Sequence, residues 1–406
     1  LSYKPSSFLP YGKQCIDSDD IRVVTDVLNS DWLTTGPKVD EFEKTFAEYL
    51  NTQYAISCSN GTAALHLSIV ALGLNRGDKV IIPSLTFLST ANAVHFAGAD
   101  IIFSDVNPDT GLVMKDNIED IISKEKNIKA ILPVHLNGQV SDIINLKKIS
   151  DKYNIKIIED ACHAIGTTYT DTKKNEFITG DCKFSDTTIF SLHPVKTITA
   201  GEGGIITTNN PKYAKKILEL RNHGVIKIPE KFVNKDLAFD KNGAVNPWYY
   251  EMHDLGFNYR ISDINCALAL SQLRKLERFV KRRSGLVKIY DNHISRLNNY
   301  IKPIGKANNC CPSWHLYPVF VNFDNFSFSR RDFMLYLKEN SIGSQVHYLP
   351  LHLQPYYQNC YGKINLPGAE SYYKKVLSLP LYPSMKDDDV KYIVDTIEKF
   401  FNKHSR

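Results

Sequence analysis

Lys196 stands where a lysine could do covalent chemistry. It ends the segment Phe190-Ser191-Leu192-His193-Pro194-Val195-Lys196, and Gly201-Glu202-Gly203-Gly204 follows. A lone lysine is nearly always a solvated surface residue. One held between an apolar strand and a glycine-rich turn could instead form a Schiff base with an aldehyde cofactor. Glycines at such a turn let backbone lie close to a bulky group.

Three other segments carry chemistry that complements it. Ile157-Ile158-Glu159-Asp160-Ala161-Cys162-His163 ends an apolar run with two acids and a histidine. A carboxylate in the place of Asp160 can keep a cationic ring nitrogen protonated, which makes the ring a better electron sink. The same aspartate could equally cap the next turn. Ser59-Asn60-Gly61-Thr62-Ala63 leaves a strand pattern and opens a helix pattern. Free N–H groups and the helix dipole there favour an anion, with Thr62 as an added donor, although such residues also serve as plain helix caps. Leu85-Thr86-Phe87 offers an aromatic face for a planar ring, or a core residue. Each segment alone has an ordinary structural explanation. Their order, anion site, aromatic, acid, then lysine before a glycine turn, points to one ligand.

These segments need a frame. Short apolar runs at 54–57, 80–82, 100–104, 129–134, 156–158, 187–191 and 204–208 read as strands, and amphipathic patterns at 63–72 and 142–153 read as helices. Alternating β and α with apolar strands predicts an α/β fold with a mostly parallel sheet covered on both faces. Ligands of such sheets bind beyond the carboxyl ends of the strands. The stretch 225–254 breaks the rhythm with two prolines and Trp248-Tyr249-Tyr250; a loop this long is functional or mobile. Residues 263–290 read as one long linking helix, and about 300–406 as a smaller α+β unit. The expected division is 1–262 for the large domain and 263–406 for the linking helix and small domain.

Composition sets the class. The chain has 406 residues, 43% hydrophobic and 23% charged, with a net charge of +5. That suits a globular protein of two or three domains. The dense basic run, Lys281-Arg282-Arg283, reads as a solvated helix face and not as a nucleic-acid stripe. A mild positive field favours an anionic small substrate. The eight cysteines form no C-x-x-C pair, so reduced thiols are expected and no metal site. No apolar run approaches a membrane span and the start lacks a signal-like core, so the expectation is a cytoplasmic protein without membrane or nucleic-acid partners.

Over about 10–400 the chain resembles the sugar aminotransferases of the DegT/DnrJ/EryC1/StrS family. The motifs that carry this are Asp31-Trp32-Leu33-Thr34-Thr35-Gly36-Pro37, Glu159-Asp160-Ala161-Cys162-His163, the Phe190–Lys196 segment and Leu255-Gly256-Phe257-Asn258-Tyr259-Arg260-Ile261-Ser262-Asp263. The resemblance implies the type I fold of aminotransferases dependent on pyridoxal 5′-phosphate, with a smaller C-terminal α+β domain. It implies Lys196 as the lysine that bonds the cofactor, Asp160 at the pyridine nitrogen, Phe87 stacked on the ring and His163 beside it. Gly61, Thr62 and Ser191 would belong to the phosphate cradle, and Asn258 would reach the phosphate of a neighbouring subunit in a homodimer. Tyr11, Asp31, Trp32, Leu33, Thr34, Gln345, Val346, His347 and Tyr348 would line a nucleotide-sugar site.

Within the family the chain is most similar to the pseudaminic-acid branch, through Gly343-Ser344-Gln345-Val346-His347-Tyr348, His352-Leu353-Gln354-Pro355-Tyr356-Tyr357, His315-Leu316-Tyr317-Pro318 and Leu377-Ser378-Leu379-Pro380-Leu381. It departs from that branch at Ser59-Asn60-Gly61-Thr62 and at Leu192. The branch implies transfer of an amino group from L-glutamate to C4 of a UDP-linked 4-keto-6-deoxy N-acetyl hexose. The competing readings are a GDP-sugar aminotransferase of the perosamine type, a deoxysugar dehydratase on the same fold, and a non-catalytic regulator. Known dehydratases of that kind lack the lysine, and a regulator predicts a damaged site or an added DNA-binding segment.

Overall fold

The computed structural model describes residues 3–404. Seven strands form the central sheet: β1 (Tyr54–Cys58), β2 (Lys79–Pro83), β3 (Asp100–Ser104), β4 (Ile128–Ile131), β5 (Lys156–Asp160), β6 (Thr187–Ser191) and β7 (Gly204–Thr208). Their order is β1-β7-β6-β5-β4-β2-β3. All run parallel except β7, which is antiparallel to both neighbours. The central strands are apolar on both faces because helices cover both: Val80, Ile81 and Ile82 in β2 are fully buried. Each such side chain contributes about 1.5–3 kcal/mol of transfer free energy, enough to hold the sheet's register without polar alternation.

Two features of this frame position a site. The helix Gly61–Ala71 starts directly beyond β1, with the Asn60 side chain accepting from the Ala63 N–H at 2.9 Å. Gly204, at the start of β7, lies against it: a Cβ there would sit 2.3 Å from the Asn60 carbonyl oxygen. The β6–β7 connection, which carries Lys196, is closed on itself by Leu192 N–H to Gly203 C=O at 2.8 Å and Ala200 N–H to Leu192 C=O at 2.9 Å. Because β7 is antiparallel, that connection begins and ends at the same edge of the sheet.

A second core gathers around an antiparallel sheet of Ile301–Pro303, Tyr317–Val321 and Val376–Leu379 with the helices Leu276–Ile294, Arg330–Glu339 and Asp387–His404. Gln345 pairs with Ser378 at its edge, through bonds of 3.2 and 2.7 Å, which hands the Gln345–Tyr348 segment to the large sheet's carboxyl end. The N-terminal segment is pinned here as well: Leu9 bridges Ile342, and the Leu381 N–H donates to the Tyr11 carbonyl at 3.0 Å.

The expected single helix over 263–290 is two helices, Asp263–Leu273 and Leu276–Ile294. At the break Lys275 N–H bonds to Gln272 C=O at 3.0 Å, a tightened turn, and its ammonium is drawn to Asp17 and to the buried Asp20 at 2.9 Å. Apolar periodicity runs through such a break and does not reveal it. The basic run 281–283 also differs from a solvated face. Arg283 is fully buried, and Arg282 pairs with Asp387. The segment 225–254 is anchored at its base by a short ladder, Val225–Ile226 with Glu251–Met252, and the Glu251 carboxylate accepts from the N–H groups of Val233 and Asn234. Among the described residues no helix is long and apolar enough to cross a membrane.

Candidate active site

A cavity of about 760 Å³ opens at the carboxyl edge of the sheet. The β1–helix turn gives it Asn60, Gly61, Thr62 and Ala63, and the turn after β2 gives Thr86 and Phe87. The end of β5 gives Asp160, Cys162 and His163, and the β6–β7 connection gives Ser191, His193, Lys196 and Glu202. From the other side come Tyr11, His315 and Gln345 through Tyr348.

Lys196 has no hydrogen-bond or ion-pair partner for its amine among the described residues. Burial lowers its pKa from the ordinary lysine value, and the Cys162 thiol and the Asp160 carboxylate oppose that only in part. A buried, unpaired amine with weakened basicity is a nucleophile and a proton carrier in waiting.

The two acids of β5 point to opposite faces, as strand alternation demands. Glu159 is enclosed by His135 Nε2 at 2.6 Å and the hydroxyls of Ser185 and Thr188. Burial pushes its pKa up, but these bonds outweigh it and hold the carboxyl below the usual range. Asp160 faces the cavity. Its Oδ1 accepts from the Cys162 N–H at 3.2 Å, so it does cap the turn, and its Oδ2 accepts from the Thr90 hydroxyl at 2.9 Å. Two donors fix the carboxylate while one edge stays open to the cavity.

At the helix start, Asn60 caps Ala63, and the first-turn N–H groups of Gly61 and Thr62 have no intrahelical acceptor. A Cβ on Gly61 would stand 3.0 Å from the Ser191 Cβ and 3.3 Å from its hydroxyl. The absence of a side chain thus brings two segments into one cradle, with hydroxyls and N–H groups converging as an anion requires. Phe87 is 55% exposed, so it is no core residue; it forms a wall of the cavity 6.1 Å, centroid to centroid, from Tyr348.

Three histidines close the far side. The His163 and His315 rings lie 4.3 Å apart, centroid to centroid, tilted by 42°, and His347 lies 5.2 Å from the Tyr11 ring. Burial, then the charge of Lys196 and nearby groups, holds the pKa of His163 and His315 well below the ordinary value and that of His347 at about 3. All three are neutral imidazoles at physiological pH.

The sequence-marked residues divide in two. Tyr11, Gly61, Thr62, Phe87, Asp160, His163, Ser191, Lys196, Gln345, Val346, His347 and Tyr348 share the cavity. Asp31, Trp32, Leu33 and Thr34 lie outside it, exposed, with Thr34 bridged to Ser262. Asn258 is exposed and bridged to Asn222, also away from this chain's cavity. Thr90 and Tyr259 were not read from the sequence. Thr90 sits in a plain helical run; its signal is the i, i+4 spacing from Thr86, whose hydroxyl it meets at 2.9 Å. Among the described residues no group of His, Cys, Asp and Glu could hold a metal ion.

The arrangement fits pyridoxal phosphate: an amine for its aldehyde, a fixed carboxylate for its ring nitrogen, an aromatic wall, and the Gly61–Ser191 cradle for its phosphate. The family model for DegT/DnrJ/EryC1/StrS aminotransferases matches residues 14–398. The Bacillus subtilis spore coat polysaccharide biosynthesis protein SpsC is 35% identical, over 97% of this chain and 97% of its own. Helicobacter pylori PseC, an aminotransferase of pseudoaminic acid biosynthesis, superposes with a TM-score of 0.87 at 27% identity, covering 98% of this chain and 100% of that one. The PLP form of Spr1654 from Streptococcus pneumoniae superposes with a TM-score of 0.85 at 28% identity, covering 98% and 99%. Family, fold and site chemistry agree: the chain belongs to the DegT/DnrJ/EryC1/StrS aminotransferase family and is a sugar aminotransferase that works with pyridoxal phosphate.

Proposed function

We propose that the chain moves the amino group of L-glutamate to C4 of a UDP-linked 4-keto-6-deoxy N-acetyl hexose, giving UDP-4-amino-4,6-dideoxy-N-acetyl-β-L-altrosamine in pseudaminic acid biosynthesis. The observation that carries this reading is the likeness to PseC over nearly the whole of both chains. The cavity supports it, since Tyr11 offers a stacking face and Gln345 a polar group in the same cavity as the reactive lysine.

In this reading Lys196 is the catalytic residue. Asp160 pairs with the ring nitrogen, Phe87 covers the ring, His163 flanks it, and Gly61, Thr62 and Ser191 hold the phosphate. When bound, the cofactor supplies an electron-withdrawing ring that stabilises negative charge at the amino-bearing carbon. Lys196 Nζ takes the proton from Cα of glutamate, and in the acceptor half it delivers a proton to C4 of the sugar. One lysine does both because burial lowers its basicity, so a proton it has taken is more readily returned. The buried histidines, held neutral, add no competing positive charge next to it.

We infer further that the working unit is a cytoplasmic homodimer, with Asn258 serving the partner's site and Asp31 through Thr34 completing the sugar site. Exposure of all five residues away from this chain's own cavity supports this. The exposed Trp248, Met252 and Leu255 nearby are apolar surface that a second subunit would cover.

The test is a comparison of kcat/KM for the UDP-linked keto sugar and for GDP-linked 4-keto-6-deoxymannose, with glutamate in excess. A site that hydrogen-bonds an N-acetyl group rejects a sugar that lacks it. Preference for the UDP sugar is expected. Preference for the GDP sugar would leave the aminotransferase intact and overturn the sugar.

A further inference from the structure

Tyr348 and His163 are joined by a hydrogen bond whose direction can be read. The His163 ring has two contacts. Nδ1 lies 3.4 Å from the backbone nitrogen of Asn137, which can only donate. Nε2 lies 3.2 Å from the Tyr348 hydroxyl. Since Nδ1 receives a proton, it presents its lone pair. The ring is neutral, because burial and the charge of Lys196 disfavour the cation, so its one proton is on Nε2. Nε2–H therefore donates to the Tyr348 oxygen, and the phenol proton must go elsewhere.

The Asn137 N–H is not free to turn away. Its residue is in the left-handed region at φ 62°, its carbonyl accepts from the His315 N–H at 3.1 Å, and its side chain donates to the Tyr372 hydroxyl at 3.2 Å. A buried turn, locked on three sides, thus sets the histidine tautomer, and the tautomer sets the tyrosine rotor. No acceptor for the Tyr348 proton exists among the described residues, and Tyr348 lines the cavity with Lys196. Burial also pushes the phenol's pKa up, so the proton stays on it throughout the working pH range.

We propose that Tyr348, oriented by His163, is the hydrogen-bond donor that grips the keto oxygen of the acceptor sugar and polarises that carbonyl for attack by the amine. A single neutral donor suits a carbonyl oxygen, whereas the carboxylates of an amino-acid donor call for cationic partners. Donors fixed in a dry site act strongly on developing charge, since they need no reorganisation. The inference rests on the family's activity and not on which sugar is accepted.

The experiment follows the two halves of the reaction separately in the holoenzyme of Tyr348→Phe. The acceptor is whichever of the UDP-linked and GDP-linked 4-keto-6-deoxy sugars the wild type converts, so an error in the sugar shows in the wild type and not in the variant. The acceptor half should slow about a hundredfold, and the glutamate half should stay within about twofold. Equal slowing of both halves, or a displaced absorption band of the bound cofactor, would place the phenol on the cofactor and overturn the proposal. An unchanged acceptor half would overturn it as well. Two measurements on the cofactor-free protein stand even if the variant loads poorly. Nitrogen-15 NMR should find His163 protonated at Nε2, and a proton at Nδ1 would remove the basis of the argument. Calorimetry should find the same keto sugar bound about tenfold more weakly by the variant, with the matching nucleoside diphosphate unaffected; equal loss for both would mean a general disturbance of the site.

Discussion

Thr90 donates its hydroxyl to Asp160 Oδ2 across 2.9 Å, and its own oxygen lies 2.9 Å from the hydroxyl of Thr86. Since the Thr90 proton is committed to the carboxylate, Thr86 is the donor in the second bond. A helix start and a strand end are thus joined by a two-hydroxyl chain that aims one carboxylate oxygen. Thr90→Val removes the aim but not the charge, and it should lower kcat about three- to tenfold, in line with about 1 kcal/mol for one hydrogen bond. Asp160→Ala removes the charge and should lower kcat at least about a hundredfold. Steady-state kinetics on both variants check the order; equal effects would mean the carboxylate needs no orientation.

Lys196→Met should abolish turnover, with a loss of at least about a thousandfold. It should also remove the visible band that borohydride bleaches. A second consequence concerns stability. The folded state lowers the amine's pKa, so between the folded and unfolded values the unfolded chain holds the extra proton, and stability of the cofactor-free protein rises with pH through that window. Lys196→Met should flatten this rise and stabilise the cofactor-free protein at neutral pH. Denaturant melts at several pH values measure both effects.

The buried histidines give the opposite end of the pH scale. His163, His315 and His347 have folded pKa values below the ordinary one. Their contribution to stability is fully present above about 6.5, the ordinary histidine value, and it is lost as the pH falls below that value and the unfolded chain takes up protons. The protein should therefore weaken between about pH 6.5 and 4, and His347→Gln should lessen the slope. Thermal melts across that range check it.

Arg283 lies fully buried, its Nη1 donating to the carbonyls of His315 at 3.1 Å and Leu381 at 2.9 Å and, more weakly, to Trp314 at 3.4 Å. Trp314 is itself left-handed at φ 45°, and Leu381 holds the Tyr11 backbone. Arg283→Met leaves those carbonyls without a donor and should cost about 1–3 kcal/mol of stability. Urea unfolding of the variant reads that loss directly.

The shared-site dimer predicts complementation. A mixture of Lys196→Ala and Asn258→Ala chains under subunit exchange contains dimers in which one site carries both lesions and the other neither. Activity should return to roughly a quarter of wild type by random pairing. No return, with exchange demonstrated by mass, would put Asn258 in its own subunit's site.

Much of this frame was legible in the sequence because burial on both sheet faces leaves unbroken apolar runs. All seven strands were visible in that way, and so were the positions of Asp160 at the end of β5 and of Lys196 in the connection that follows β6. What stayed hidden depends on contacts that no local pattern records. An apolar run reads the same in either direction, so the reversal of β7 left no trace. Arg283 looks like any member of a basic run; only its distance partners, Trp314, His315 and Leu381, make it a core residue. Thr90 is an ordinary helical threonine until β5 is brought beside it.

The reversal of β7 also sets an order of assembly. Strand β1 pairs with no other strand of the sheet, in the register Cys58 to Gly204 and Tyr54 to Thr208. During synthesis β1 leaves the ribosome on the order of 150 residues before that partner, which at about 5–20 residues per second is roughly 8–30 s. The β6–β7 hairpin, by contrast, closes between near neighbours in the chain, and local pairings form fast. The lysine connection is therefore folded before the Gly61 helix start can dock against it. The phosphate cradle is a late product of translation, and a nascent chain stalled short of Gly204 should still offer its residues around 54–71 to a protease after β2 through β5 have become resistant.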